Sequence, residues 1–129
     1  MASGLPAATG DVLTASTVNG LITFTVGSDQ TADYTAVLTD QYQVLVSMNK
    51  ATAVAFKIPT NASVAFPVGT AITILNKGAG VVTISAVTSG TTTVTSAGAV
   101  SASPTLAQWK TAVCIKLATD SWVVVGSIG

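Results

Sequence analysis

The chain has 129 residues and a mass of 12.8 kDa, and 49% of its residues are hydrophobic, which suits a single folded domain. Only 8% of its residues are charged, and five Lys and five Asp cancel to a net charge of zero. Nucleic-acid binding depends on clustered cations, and the lysines are scattered, so we exclude a nucleic-acid partner. We expect no signal peptide, because the N-terminus lacks both a basic region and an apolar core, and no membrane partner, because no apolar run approaches the roughly 18 residues of a membrane helix.

Residues 1–33 are predicted to form an N-terminal arm or attachment segment. The part up to about Gly27 is rich in small and polar residues and has too little apolar surface to fold alone. Within it, Thr14 can cap a single helical turn that ends at Asn19-Gly20. The run LITFTV, residues 21–26, is predicted to be a strand, and GSDQTADYT after it a linker or turn.

From residue 34 onward, short runs rich in Thr and Val alternate with turn residues. β-Branched side chains favour the pleated backbone of strands, and Pro59 marks a chain reversal. About eight strands at a spacing of roughly ten residues are typical of sandwiches and barrels. We therefore expect residues 34–129 to form an all-β domain, an antiparallel, jelly-roll-like β-sandwich.

The stretch FPVGTAITILNKGAGVVTIS, residues 66–85, is predicted to be a β-hairpin. Gly78 and Gly80 would supply the positive φ of its turn, with Lys77 pointing to solvent at the tip. Lys77 precedes the glycines, so NKGAG lacks the order of a phosphate-binding loop. The predicted core face of the two strands is Ile72, Ile74, Val82 and Ile84.

A second hairpin is predicted where Asp120 and Ser121 turn the chain and Trp122 packs beside the preceding strand. That preceding strand carries Cys114, the single cysteine, which we expect to be a small buried hydrophobe. A nucleophilic role would need a partner base, and the chain has no His to provide one.

We find no set of residues that predicts catalysis. The carboxylates all fall in predicted turns, where Asp commonly bonds the local backbone; they are Asp11, Asp29, Asp33, Asp40 and Asp120. Asp29 and Asp33 form at most a loose pair, without the defined separation of a glycosidase. We predict a protein that is not an enzyme, with no catalytic, cofactor-binding or metal-binding residue, although weak calcium binding stays open.

Several strands are apolar on both faces, notably residues 42–46 and 123–125. A strand with one solvated face should alternate more cleanly, so this pattern favours strands that a neighbouring subunit covers. The aromatic residues Trp109, Trp122, Tyr34 and Tyr42 could stack on sugars, but packing in the core or between subunits is favoured.

Three marks in residues 34–129 resemble a β-rich module of tailed-bacteriophage virion proteins. They are YTAVLTDQYQVLVSMNKATAVAFKIPTNAS, then VAFPVGTAITILNKGAGVVTISA, and last AVCIKLATDSWVVVGSIG. The resemblance implies a non-enzymatic structural protein such as a head decoration (cement) protein, a head fibre or a tail fibre. It also implies a homotrimer. The segment LPAATGDVLTASTVNGL is similar to the attachment segments of such proteins.

Among these roles the small size favours a capsid decoration protein. It would be made in the host cytoplasm, bind the major capsid protein on the outside of the virion head and stabilise the shell, with the arm in contact with capsid subunits or a neighbouring protomer. The alternative is a head-fibre or tail-fibre module that binds a host-surface receptor or glycan; for the decoration protein, glycan contact would be weak. A glycan-cleaving enzyme is the least favoured of the three.

Overall fold

The computed structural model describes residues 23–96 and 103–128, and in these residues the regular elements are ten strands and one 3-10 helix. The strands are β1 (Thr25–Gln30), β2 (Tyr34–Thr35), β3 (Val44–Met48), β4 (Val54–Ile58), β5 (Ala71–Asn76), β6 (Val82–Ala86), β7 (Thr93–Thr95), β8 (Thr105–Leu106), β9 (Thr111–Ala118) and β10 (Ser121–Gly126). The 3-10 helix, Leu38–Gln41, precedes β3. The all-β prediction is confirmed.

The strands form a six-stranded sheet, in the order β1-β3-β5-β9-β10-β7, and a four-stranded sheet, in the order β2-β4-β6-β8. The two sheets share one hydrophobic core, which confirms the predicted sandwich. Strand directions differ from the antiparallel expectation: of the eight pairings between described strands, five are parallel and three antiparallel. The reason is that consecutive strands from β1 to β9 alternate between the two sheets, so neighbours in a sheet are often two strands apart in sequence.

Two successive turns of this winding repeat at an offset of 28 residues. Met48 aligns with Asn76 in the six-stranded sheet, and Val54 aligns with Val82 in the four-stranded sheet. The connections between these strands, which we call the first arch (residues 49–53) and the second arch (residues 77–81), are therefore of equal length. They stack through backbone hydrogen bonds: Lys77 N donates to Met48 O at 2.7 Å.

The hairpin predicted for residues 66–85 is wrong, because β5 and β6 lie in different sheets. The second arch joins them by crossing from one sheet to the other. Gly78 and Gly80 do not have the predicted positive φ; in the described residues the glycines with positive φ are Gly69 and Gly126. The two arch glycines are instead required by close stacking, since a β-carbon at either position would overlap the backbone of the first arch.

The closing hairpin is confirmed. β9 and β10 pair antiparallel, and Asp120 turns the chain between them with a φ of 54°. β9 also pairs antiparallel with β5, so the hairpin joins the parallel strands β1, β3 and β5 to the parallel pair β10 and β7.

The core lies between the inward faces of the two sheets. The four residues of the predicted core face are fully buried: Ile72, Ile74, Val82 and Ile84. Trp122 is also buried, and its ring meets that of Phe66 edge-on at 5.5 Å between centroids. Burial thus confirms the predicted inward residues even though the two strands belong to opposite sheets.

The six-stranded sheet reaches into the proposed arm. The strand predicted at residues 21–26 begins later, as β1, and pairs with β3 through contacts such as Thr25 with Val44. The run GSDQ, expected in a linker, is therefore strand. Residues 1–22, with the predicted helical turn at Thr14 and with Asp11, lie outside the described residues.

Candidate functional site: an apolar sheet face

The outward side of the six-stranded sheet is apolar, and we call it the apolar face. Strand alternation and register place its large residues there: Val26, Leu45, Leu75, Val113, Ile115, Leu117, Val123 and Val125. One row runs across five strands, from Val26 through Leu45, Thr73 and Val113 to Val125. The strands β3, β5, β9, β10 and β7 contribute no charged residue to this side.

The outward side of the four-stranded sheet has the opposite character, and we call it the polar face. Its strand residues are Thr35, Ala55, Lys57, Thr83, Ser85 and Thr105. A sheet with one solvated side is expected to carry polar residues there. The polar face meets this expectation, and the apolar face does not. The sequence signal for the apolar face is the missing alternation in residues 42–46 and 123–125.

A groove of about 500 Å³ borders the apolar face. Thr73 and Ala71 of β5 form part of its wall, and the turn with Pro67 and Val68 forms another. Phe24 contributes an aromatic side chain that is 52% exposed. Large exposed apolar side chains therefore continue past the edge of the sheet, which enlarges the apolar surface.

Asp29 marks the corner of the apolar face where the arches stack. Lys77 of the second arch forms an ion pair with the Asp29 carboxylate at 2.7 Å, and Asn49 of the first arch donates to it at 2.9 Å. The hydrogen bond from Lys77, followed by that from Asn49, lowers the pKa of Asp29. Lys77 thus holds the corner together instead of pointing freely into solvent, and Asp29 lies in β1, not in a turn.

The other described carboxylates each stabilise a different part of the backbone. Asp33 accepts from Ala55 N at 3.0 Å, and Asp120 accepts from Asn61 N at 2.8 Å. Asp29 and Asp33 have different partners, so the loose pair considered above does not form through their hydrogen bonds. Within residues 23–96 and 103–128, no three His, Cys, Asp or Glu residues are grouped so as to hold a metal ion.

Asp40 lies in the 3-10 helix and is buried. Its carboxylate accepts the Tyr34 hydroxyl at 2.8 Å and the Val37 N–H at 2.9 Å. Burial raises the pKa of Tyr34, and the hydrogen bond to Asp40 raises it further. The pair fixes the connection between β2 and β3 and gives Tyr34 a core role: its ring also lies 6.0 Å from that of Phe56.

Lys116 is a buried lysine whose burial was not predicted from the sequence. Its side chain points inward from β9, and its ammonium donates to Asn61 Oδ1 at 2.5 Å and to the Phe66 carbonyl at 2.6 Å. Both acceptors lie in the long connection between β4 and β5. Lys116 therefore ties that connection to the six-stranded sheet. The sequence could have predicted this burial, because residue 116 lies two positions after Cys114 on the same strand and therefore points to the same side.

The remaining candidates separate into buried and exposed groups. Cys114 is fully buried as predicted, and burial raises the pKa of its thiol to about 12. Tyr42 is 64% exposed and Trp109 is 66% exposed, so neither is a core residue. Trp109 also has a φ of 63°, which is uncommon for a bulky side chain.

Comparisons with family models, curated proteins and solved structures found no match to this chain. In the part of the chain that the structure describes, there is no helix with the length and apolar character needed to cross a membrane. The apolar face is the feature of the described residues that most calls for a functional explanation.

Proposed function

We propose that this chain is a non-enzymatic structural protein of a tailed-bacteriophage virion. In this role it is a capsid decoration protein that binds the outside of the head as a trimer and stabilises the shell. The resemblance of residues 34–129 to phage virion modules is our reason for proposing a phage virion as the source of the protein. The apolar face supports the assembly role, because an exposed apolar surface of this extent marks an interaction site.

The described carboxylates and the thiol also suit a protein that works by shape and burial. Cys114 is fully buried, and Asp33, Asp40 and Asp120 accept hydrogen bonds from backbone amides that hold loops in place. Stabilisation of a shell needs no reactive group: a protein that binds only the assembled lattice shifts the equilibrium toward it by mass action.

The experiment is to mix the purified chain with capsids that lack it and measure both binding and the temperature at which the shells open. We expect saturable binding at many copies per particle and a higher opening temperature. Absence of binding, or location of a few copies at the tail tip in the intact virion, would refute the decoration role.

The alternative is a fibre module that binds host-surface receptor or glycan. The groove beside the apolar face favours it as the second candidate, because Phe24 offers a ring for stacking and Gln41 and Thr70 offer polar groups beside it. Binding of host polysaccharide that is lost in the Phe24→Ala variant would support this alternative, and absence of binding in the unmodified protein would refute it.

A further inference from the structure

We propose that the apolar face is the surface through which copies of this chain pack against each other. This inference rests on the proposed function only for the statement that the protein works as an oligomer. It adds which surface the copies share and leaves the polar face and the rest of the molecule for other contacts.

The two outward faces differ in composition, and this difference indicates that the apolar face is covered by protein. Both are outward sides of sheets in one molecule, yet the strands of the polar face present no apolar residue larger than Ala55, whereas the other face has a row of Val, Leu and Thr that crosses five strands. Val26, Leu117 and Val125 on the apolar face are 68%, 56% and 44% exposed. Contact with solvent explains the composition of the polar face, whereas the composition of the apolar face is that of a surface covered by protein.

Charge identifies the covering surface as another copy. The formal net charge of the chain is zero, so monomers lack the mutual repulsion that keeps proteins with an exposed apolar patch apart. A partner that is met only later, such as an assembled shell or a host surface, would leave the patch open in the meantime. A second copy is present from synthesis, and it carries the same apolar row, whose charges are confined to the Asp29–Lys77 ion pair at one corner.

The area of the apolar face is large enough for an interface with a second copy. At about 4.8 Å between strands and about 3.3 Å per residue, six strands of about five residues form a footprint of about 29 by 17 Å, or about 490 Å². Side chains that project from the sheet add accessible area to this footprint, and so do Phe24 and Val68 at the adjoining groove. Even without these side chains, two such footprints cover about 980 Å², close to the roughly 1,000 Å² of total buried surface that a specific protein interface needs.

Thr73 provides the central test position. It lies on β5, the third of the six strands, with Leu45 on one side and Val113 on the other. Thr83 is its matched control, because it is also a half-buried outward Thr on an interior strand, but on the polar face. Lysine at either position can extend into solvent in a monomer, but only Thr73→Lys would place a charge inside the proposed interface.

The first experiment measures the mass of the purified chain in solution by light scattering, with no capsid present, for wild type, Thr73→Lys and Thr83→Lys. We expect wild type and Thr83→Lys to be oligomers at about 50 µM, and Thr73→Lys to be a monomer whose dissociation constant has risen by at least about 100-fold. Circular dichroism and Trp122 fluorescence would verify the fold of each variant.

A second experiment uses the smaller substitutions Thr73→Cys and Thr83→Cys with a short bifunctional maleimide, and it decides the question if the lysine variant does not fold. The native thiol of Cys114 is fully buried, so the introduced thiol is the one that reacts. We expect covalently joined chains from Thr73→Cys and none from Thr83→Cys.

A monomeric wild type, a Thr73→Lys variant that remains an oligomer, or equal cross-linking of both cysteine variants would overturn the inference. The outcome is separable from that of the proposed function. A soluble oligomer that does not bind capsids would refute only the decoration role, whereas a protein that binds capsids as an oligomer unaffected by Thr73→Lys would refute only the shared face.

Discussion

Replacement of Gly80 by Ala tests whether the two arches stack as closely as described. A β-carbon at Gly80 would lie 2.8 Å from Thr52 Cα and closer still to the Thr52 carbonyl group. Carbon atoms in ordinary contact are about 3.5–4.0 Å apart, so the arches would have to separate by about an ångström. Separation would lengthen the hydrogen bond from Gly80 N to Lys50 O, now 2.9 Å, and the bond from Asn76 Nδ2 to Gly80 O, also 2.9 Å.

Overpacking costs about 1–3 kcal/mol and a disrupted buried hydrogen bond about 1–3 kcal/mol, so we expect a loss of about 3–5 kcal/mol in the free energy of unfolding. Urea unfolding followed by the fluorescence of buried Trp122 would record this as a midpoint lower by about 2–4 M. Gly90→Ala is the matched control, since no atom lies within 4 Å of its β-carbon, and it should be neutral or slightly stabilising. A Gly80→Ala variant within about 0.5 kcal/mol of wild type would refute the stacking argument.

Three further changes test the buried polar groups. Because burial raises the pKa of Cys114 from 9.0 to about 12, the stability that the neutral thiol contributes should be fully present below pH 9 and fall by up to about 1.4 kcal/mol per pH unit toward pH 12. In urea titrations Cys114→Ala should therefore lose stability less steeply than wild type, and the raised pKa of Tyr34 should leave a shared dependence above pH 10; equal slopes would contradict this. Lys116→Met should cost about 2 kcal/mol in thermal unfolding, because Asn61 and the Phe66 carbonyl lose their donor; an unchanged midpoint would contradict this. Ser47→Ala should be neutral or stabilising, because the buried hydroxyl has no hydrogen-bond partner; a large loss would show an unrecognised bond.

Asn76 shows why the local sequence pattern did not predict the second arch. It is the last residue of β5, points inward and is fully buried. The equivalent position on the neighbouring strand β3 is occupied by Met48. The Asn76 side-chain amide donates to Gly80 O and to Leu106 O, and its Oδ1 accepts from Gly78 N. Leu106 lies 30 residues away in sequence, so no turn motif contains this bond. Asn followed by Gly is a common hairpin signal, and here the same residue types organise a crossing between sheets.

The sequence by itself determined the strand content, the inward residues and the missing alternation that marks the apolar face. These follow from side-chain chemistry along one strand, since alternate residues point to opposite sides of any sheet. It determined neither which sheet a strand joins nor the direction of its neighbours. Those depend on contacts such as Leu45 with Thr73 and Thr73 with Val113, made between residues distant in the chain. Only the tertiary structure therefore decided that one sheet face gathers Val, Leu and Ile from five strands, and that Lys116 lies in the interior.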